Sequence, residues 1–214
     1  MGNSNLVCHT HISPHRTSPR KHTIDTITIH TMAGNMTIES CGELFAKPSK
    51  KASSNYGIGT DGRIALYVEE KDASWCSSNN ENDNRAVTIE VANNGGKDSG
   101  WTISDEAYAS LINLCVDICK RNGIKELKWK ADKSLVGQID KQNMTVHRWF
   151  KNKSCPGDYL YYLHGKIAEE VNERLKVKKG LWRVQVGAYS VYDNAVKMSK
   201  KLTKLGIDNY IKYD

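Results

Sequence analysis

The stretch "IDTITIH", residues 24–30, decides the fold. Thr26, Thr28 and His30 alternate with Ile27 and Ile29, the spacing of a strand with one apolar face and one polar face that ends in a histidine. "AVTIEVAN", residues 86–93, repeats the pattern, with Val87, Ile89 and Val91 facing one way and Thr88, Glu90 and Ala92 the other. A glutamate in the middle of such a strand needs a reason.

Around these strands the chain reads as mixed α/β. "TIESCGELFA", residues 37–46, spaces Ile38, Cys41, Leu44 and Phe45 at helical intervals, and "NYGIGTDGRIALYVEE", residues 55–70, reads as two strands joined by a turn at Asp61-Gly62. From Ser104, a good N-cap followed by Asp105 and Glu106, a helix carries Tyr108, Leu111, Ile112, Cys115, Ile118 and Cys119 on one stripe and stops near Gly123. Cys115 and Cys119 are therefore core residues. Asp158 is placed to cap a further helix whose Leu160, Leu163, Ile167, Val171 and Leu175 form an apolar stripe. The predicted architecture is a central mixed β-sheet flanked by helices over residues 1–175. A linker follows at 176–180, then a small βαβ unit at 181–214 with Ala195, Met198, Leu202 and Leu205 along its helix. That unit is too small to hold much of a core alone, so it is expected to pack on the main domain or on a second copy of itself.

Composition narrows the function classes. The 214 residues are 39% hydrophobic, enough for one full core and an appendage. No apolar run of membrane-spanning length and no basic-then-apolar leader occurs, so synthesis in the cytoplasm without a stable membrane anchor is expected. The six cysteines are widely spaced, which favours reduced thiols over a disulfide scaffold. Nine basic and three acidic residues lie from Lys176 onward, so +6 of the net charge of +7 belongs to the tail. Such a tail suits a polyanionic surface, whether nucleic acid, membrane or cell-wall polymer. Trp182 and the scattered tyrosines fit packing positions at least as well as base-stacking platforms, so nucleic acid is not expected as a partner.

The chemistry concentrates in "TVHRWFKNKSCPG", residues 145–157, where His147 and Cys155 lie eight residues apart and Lys153 stands two before the cysteine. Catalytic zinc takes three protein ligands and leaves a position for water, and His30, at the end of its strand, is a natural third. A thiolate activated by an imidazole needs the same residue types, so a Cys155–His147 nucleophile pair stays open on the residues alone. Lys153 favours the metal reading, because a cation beside the metal stabilises an oxyanion, and Glu90 would supply the base.

Together, "TITIHTMAG", "ASSNYGIGTDGRIALYVEE", "RAVTIEVAN" and "MTVHRWFKNKSCPGDYL" resemble the zinc-dependent N-acetylmuramoyl-L-alanine amidases of the type-2 amidase and peptidoglycan-recognition fold, nearest to endolysin-like members. The resemblance covers about Ser13 to Val171. It implies that His30, His147 and Cys155 hold Zn²⁺, that Glu90 is the catalytic glutamate, and that Lys153 steadies the tetrahedral intermediate. It implies peptidoglycan as substrate, with Asn55, Trp75 and Thr145 as substrate contacts and release to the cell wall after synthesis. Two positions depart from the family pattern. Ser54 stands where some members carry a catalytic tyrosine, leaving Tyr56 as a core or cleft-wall residue, and Trp75-Cys76 stands where many have Trp-His. Cys76 is therefore expected to be a partly buried structural thiol. The tail, "WRVQVGAYSVYDNAVKMSKKLTKLGIDNYIKYD", resembles one half of a SPOR repeat, which implies glycan binding or pairing of two chains.

Overall fold

The computed structural model describes residues 2–176 and 186–213, in two compact units that divide between Val177 and Lys178. In the first unit the order is β1 (His9–Thr10), β2 (Arg16–Thr17), β3 (Thr26–Thr31), α1 (Ile38–Ala46), β4 (Tyr56–Ile58), β5 (Ile64–Leu66), β6 (Ala73–Ser74), α2 (Asn80–Arg85), β7 (Ala86–Val91), α3 (Asp105–Asn122), β8 (Met144–Thr145) and α4 (Gly157–Leu175). Six strands form one mixed sheet in the order β1-β5-β4-β7-β3-β8, and β2 pairs antiparallel with β6. Within the sheet β4 and β5 are antiparallel, while β3 runs parallel to β7 and β8.

Alternation along β3 and β7 sets the layers. Ile27, Ile29, Val87 and Ile89 are wholly buried with Leu111, Ile112, Cys115 and Ile118 of α3 and Leu160, Ile167 and Val171 of α4 in one apolar cluster. A smaller cluster beneath α1 holds Met32, Ile38, Cys41, Phe45 and Tyr67. The helix ends follow ordinary capping chemistry. The Thr37 and Ser104 side chains accept the Ser40 and Ala107 amides, and α3 ends on Gly123 in the left-handed region at φ 72°. Asp158 does not cap α4. Pro156 occupies that position, and the Asp158 carboxylate accepts from Arg148 Nη1 at 2.8 Å instead.

Tyr56 is fully buried, so it is a core residue and no part of a cleft wall. Its hydroxyl donates to Glu70 Oε1 at 2.6 Å, and Arg121 and Asn122 at the end of α3 donate to the same buried carboxylate. This cluster ties the hairpin to α3. Gly57 next to it is required by Tyr67, whose ring would stand 2.5 Å from any Cβ there.

In the second unit, α5 (Tyr192–Lys204) is followed by a turn at Gly206, φ 72°, and Asn209 bonds back to Ser199 and Thr203. No strand is assigned at 186–190 or 207–213 among the described residues, and the rest of the first expected strand, like most of the expected linker, lies outside them. Among the described residues no helix is long and apolar enough to cross a membrane.

Candidate active site

The polar face of β3 and β7 carries the site. His30 and Glu90 are register partners, with Thr28 opposite Thr88 one step back along the same face. His30 is wholly buried, and burial followed by the charges of His147 and His164 holds its pKa well below the ordinary histidine value. The ring is neutral and free to donate a lone pair. His147 opens a short 3-10 turn just after β8, and Cys155 precedes Pro156 at the start of α4. The loop between them closes on itself. The Arg148 main-chain N–H donates to the Cys155 carbonyl at 3.1 Å, and its guanidinium donates to Ser154 O at 2.6 Å while lying 4.9 Å over the Tyr161 ring.

The result brings three expected ligands together. One donor atom from each of His30, His147 and Cys155 lies within 4.8 Å of the others, and Cys155 Sγ is 3.4 Å from His30 Nδ1. Two ligands at tetrahedral zinc, at about 2.3 Å for sulfur and about 2.05 Å for nitrogen, stand about 3.5 Å apart. The pair therefore fits that ion without rearrangement. Burial first, then Glu90, pushes the Cys155 thiol up, so the thiol stays protonated unless a cation displaces its proton. Burial, and then the charge of the exposed Lys153, lower the His147 pKa.

Glu90 is pushed up to about 8 by burial, against the opposing pull of Lys50 and of the Cys76 thiol, which donates to Oε1 at 3.9 Å. Its Oε2 is buried without a protein partner among the described residues. Cys76 is buried rather than half-exposed, and its main-chain N–H and that of Ser77 donate to the Asp83 carboxylate at 3.1 and 3.0 Å. The same loop brings Ser78 Oγ to 3.3 Å from His147 Nε2.

Two expected substrate contacts, Asn55 and Thr145, lie in the interior. Asn55 is fully buried; its amide donates to Val68 O at 3.1 Å, and its Oδ1 accepts from Thr88 N at 3.1 Å and Thr88 Oγ1 at 3.3 Å. Thr145 is 3% exposed, with Oγ1 2.7 Å from Thr28 Oγ1 and donating to Asn82 Oδ1 at 2.9 Å. Both side chains bond across the strands and hold the polar face in register. Trp75 is 38% exposed, donates to Thr17 Oγ1 at 3.0 Å and tilts over His15, so its indole presents a surface to solvent.

Residues that sequence reasoning missed form the frame. Arg20 donates to the carbonyls of Glu70, Asp72, Asp83, Asn84 and Ala86 at 2.9–3.0 Å. Burial lowers its pKa to about 10 even against Glu70, Asp83 and Asp72. Asn82 and Asp83 stand on α2, a wholly polar helix, "NENDNR", with no apolar period to reveal it.

The sequence family described as N-acetylmuramoyl-L-alanine amidase matches residues 20–158, the span that contains β3, Glu90, His147 and Cys155. The chain belongs to that family. A second family, the SPOR domain, matches residues 178–214. Three solved structures share the fold. A selenomethionine derivative of AmpD aligns at TM-score 0.57 and 15% identity over 82% of this chain and 99% of its own. A mutant endolysin from Bacillus subtilis aligns at 0.53 and 14% over 76% and 97%. The endolysin amidase LysCS from Clostridium intestinale aligns at 0.51 and 18% over 80% and 94%. No curated protein matches the chain.

Proposed function

We propose that this member of the amidase family hydrolyses the amide bond between N-acetylmuramic acid and L-alanine in peptidoglycan with a zinc ion held by His30, His147 and Cys155. The observation that carries the reading is the convergence of two buried or half-buried imidazoles and a thiol at zinc-ligand spacing, beside a carboxylate with an unpartnered oxygen. A bound Zn²⁺ supplies Lewis acidity, which polarises a carbonyl and lowers the pKa of water.

This chain's own residues do the rest. Glu90 lies beside His30 and accepts the proton of the attacking water, then returns it to the amine of L-alanine as the C–N bond breaks. Its raised pKa keeps both transfers within reach near neutral pH. Lys153, whose charge is felt at His147, stabilises the oxyanion, and Trp75 lines the cleft for substrate. The Cys–His nucleophile alternative is disfavoured because burial pushes the Cys155 thiol up and both nearby imidazoles are held neutral. A peptidoglycan-recognition module without activity would have no use for a complete ligand set beside a half-buried base.

The biological role proposed is that of an endolysin, supported by the likeness to endolysin folds; a bacterial autolysin or wall-recycling enzyme is the alternative. The second unit is proposed to attach the enzyme to peptidoglycan, as its SPOR match suggests. It leaves Val186, Tyr192, Leu205 and Tyr210 exposed, so pairing of two chains through it is proposed as well, and sedimentation of the full chain measures that.

Mass spectrometry of fragments released from Gram-positive sacculi tests the activity. New stem peptides beginning with free L-alanine, lost with a chelator and restored by zinc, are expected. Peptides cut internally and indifferent to chelator would sink the reading in favour of a cysteine peptidase.

A further inference from the structure

His30 belongs to two ligand sets at once. With His147 and Cys155 it forms the set described above. With Cys76 and Glu90 it forms another, whose three donor atoms also lie within 4.8 Å of one another. The fold builds this second set as firmly as the first. Glu90 is the register partner of His30, and Cys76 follows β6, where Ser74 Oγ sits 2.7 Å from Thr88 Oγ1 on the same face. The clasp of Asp83 on the main chain of Cys76 and Ser77 holds the thiol in place.

The spacing suits a metal. Cys76 Sγ is 3.9 Å from Glu90 Oε1. Thiolate and carboxylate ligands of one zinc ion stand about 3.5 Å apart, so closure takes a few tenths of an ångström, within the reach of a χ rotation. Two buried atoms at this place have no protein partner among the described residues, Glu90 Oε2 and His30 Nε2. The first set leaves both unspent, because Glu90 is no part of it and His30 turns Nδ1 toward Cys155. Orphaned polar atoms in a buried site are costly and call for a partner. A thiolate and a carboxylate together carry two negative charges, which a divalent cation neutralises on entering.

We infer that Cys76, Glu90 and His30 form a second, inhibitory site for a thiophilic divalent cation, such as cadmium or zinc in excess. Binding releases the Cys76 thiol proton and the His30 Nε2 proton to solvent and forms metal–sulfur and metal–nitrogen bonds, with no change of oxidation state. The cation ties up the carboxylate that the reaction requires as a free base. Metal uptake stands by itself, while the inhibition rests on the amidase reading above.

Cadmium titration of the metal-free full chain, followed by the near-ultraviolet thiolate-to-cadmium absorption, separates the two. It is run in a Cys8→Ser background, since Cys8 is exposed and Cys41, Cys115 and Cys119 are buried. Two uptake steps are expected, the first lost in His147→Ala and the second lost in Cys76→Ala. Cys76→Ser, which keeps a donor toward Glu90, loses the same step, and its surviving first step shows that the fold is intact. Excess zinc then slows sacculus cleavage by the parent and not by either Cys76 variant. A second step that persists in both Cys76 variants, or a single step of unchanged amplitude in them, overturns the inference and leaves the first site standing. A first step that survives His147→Ala overturns the zinc reading instead, and the Cys76-dependent step is judged by itself.

Discussion

The two faces of β3 and β7 are made from the same twelve residues in one register, and they do opposite things. On one face Ile27, Ile29, Val87 and Ile89 are sealed by α3 and α4. On the other, Thr28, His30, Thr88 and Glu90 meet only polar partners or none. The apolar face is closed and fully matched, and it stabilises. The polar face carries buried atoms without partners, which folding alone does not favour and which binding a cation would satisfy. Strand alternation thus divides stability from chemistry with single-residue resolution.

Substitutions on each face test this division. The largest effect is expected from His30→Ala or Cys155→Ala, which lose both zinc uptake at the His30–His147–Cys155 site and release of stem peptides while the metal-free protein keeps its circular dichroism. Metal content per chain and fragment analysis check both. Glu90→Gln should keep zinc and lower kcat by about 10²–10⁴-fold, the range of general acid–base catalysis. Full turnover in that variant removes Glu90 as the base. On the opposite face, Ile89→Ala should cost about 2–5 kcal/mol in denaturant unfolding and leave metal stoichiometry unchanged. If it strips the metal instead, the two faces are not independent.

The smallest effect concerns pH. His164 on α4 is buried under Trp129, with Nδ1–H donating to Leu160 O at 2.6 Å, and burial lowers its pKa to about 4. Between about 6.5, the value in an unfolded chain, and about 4, the unfolded state binds more protons than the native state. Stability is therefore fully present above the unfolded value and lost as pH falls through that window, by roughly 3 kcal/mol. Denaturant midpoints measured across the window should slope for the parent and flatten for His164→Asn. Equal slopes exclude His164 as the source.

Much of this was legible in the sequence because it is periodic or local. The helical stripes of α1, α3 and α4 and the two-residue alternation of β3 and β7 needed only spacing, and the His147–Cys155 loop is one contiguous motif. The frame was not legible, because it is built from long-range bonds by residues that look like ordinary surface. Arg20 reaches carbonyls up to 66 residues away, and nothing in "SPRKHT" announces it. Asn55 is expected at the substrate only through the resemblance, and nothing local announces its bonds to Val68 and Thr88, which close the gap between strands.

The site's two ends lie far apart along the chain, and this gives the protein a timing. His30 and Cys155, 3.4 Å apart when folded, are separated by 125 residues. A chain still emerging from the ribosome carries the histidine and the base early but has no thiol to complete the set until most of the first unit has been made. On the proposed ligand set, fragments that end short of Cys155 are therefore expected to hold no zinc at this site.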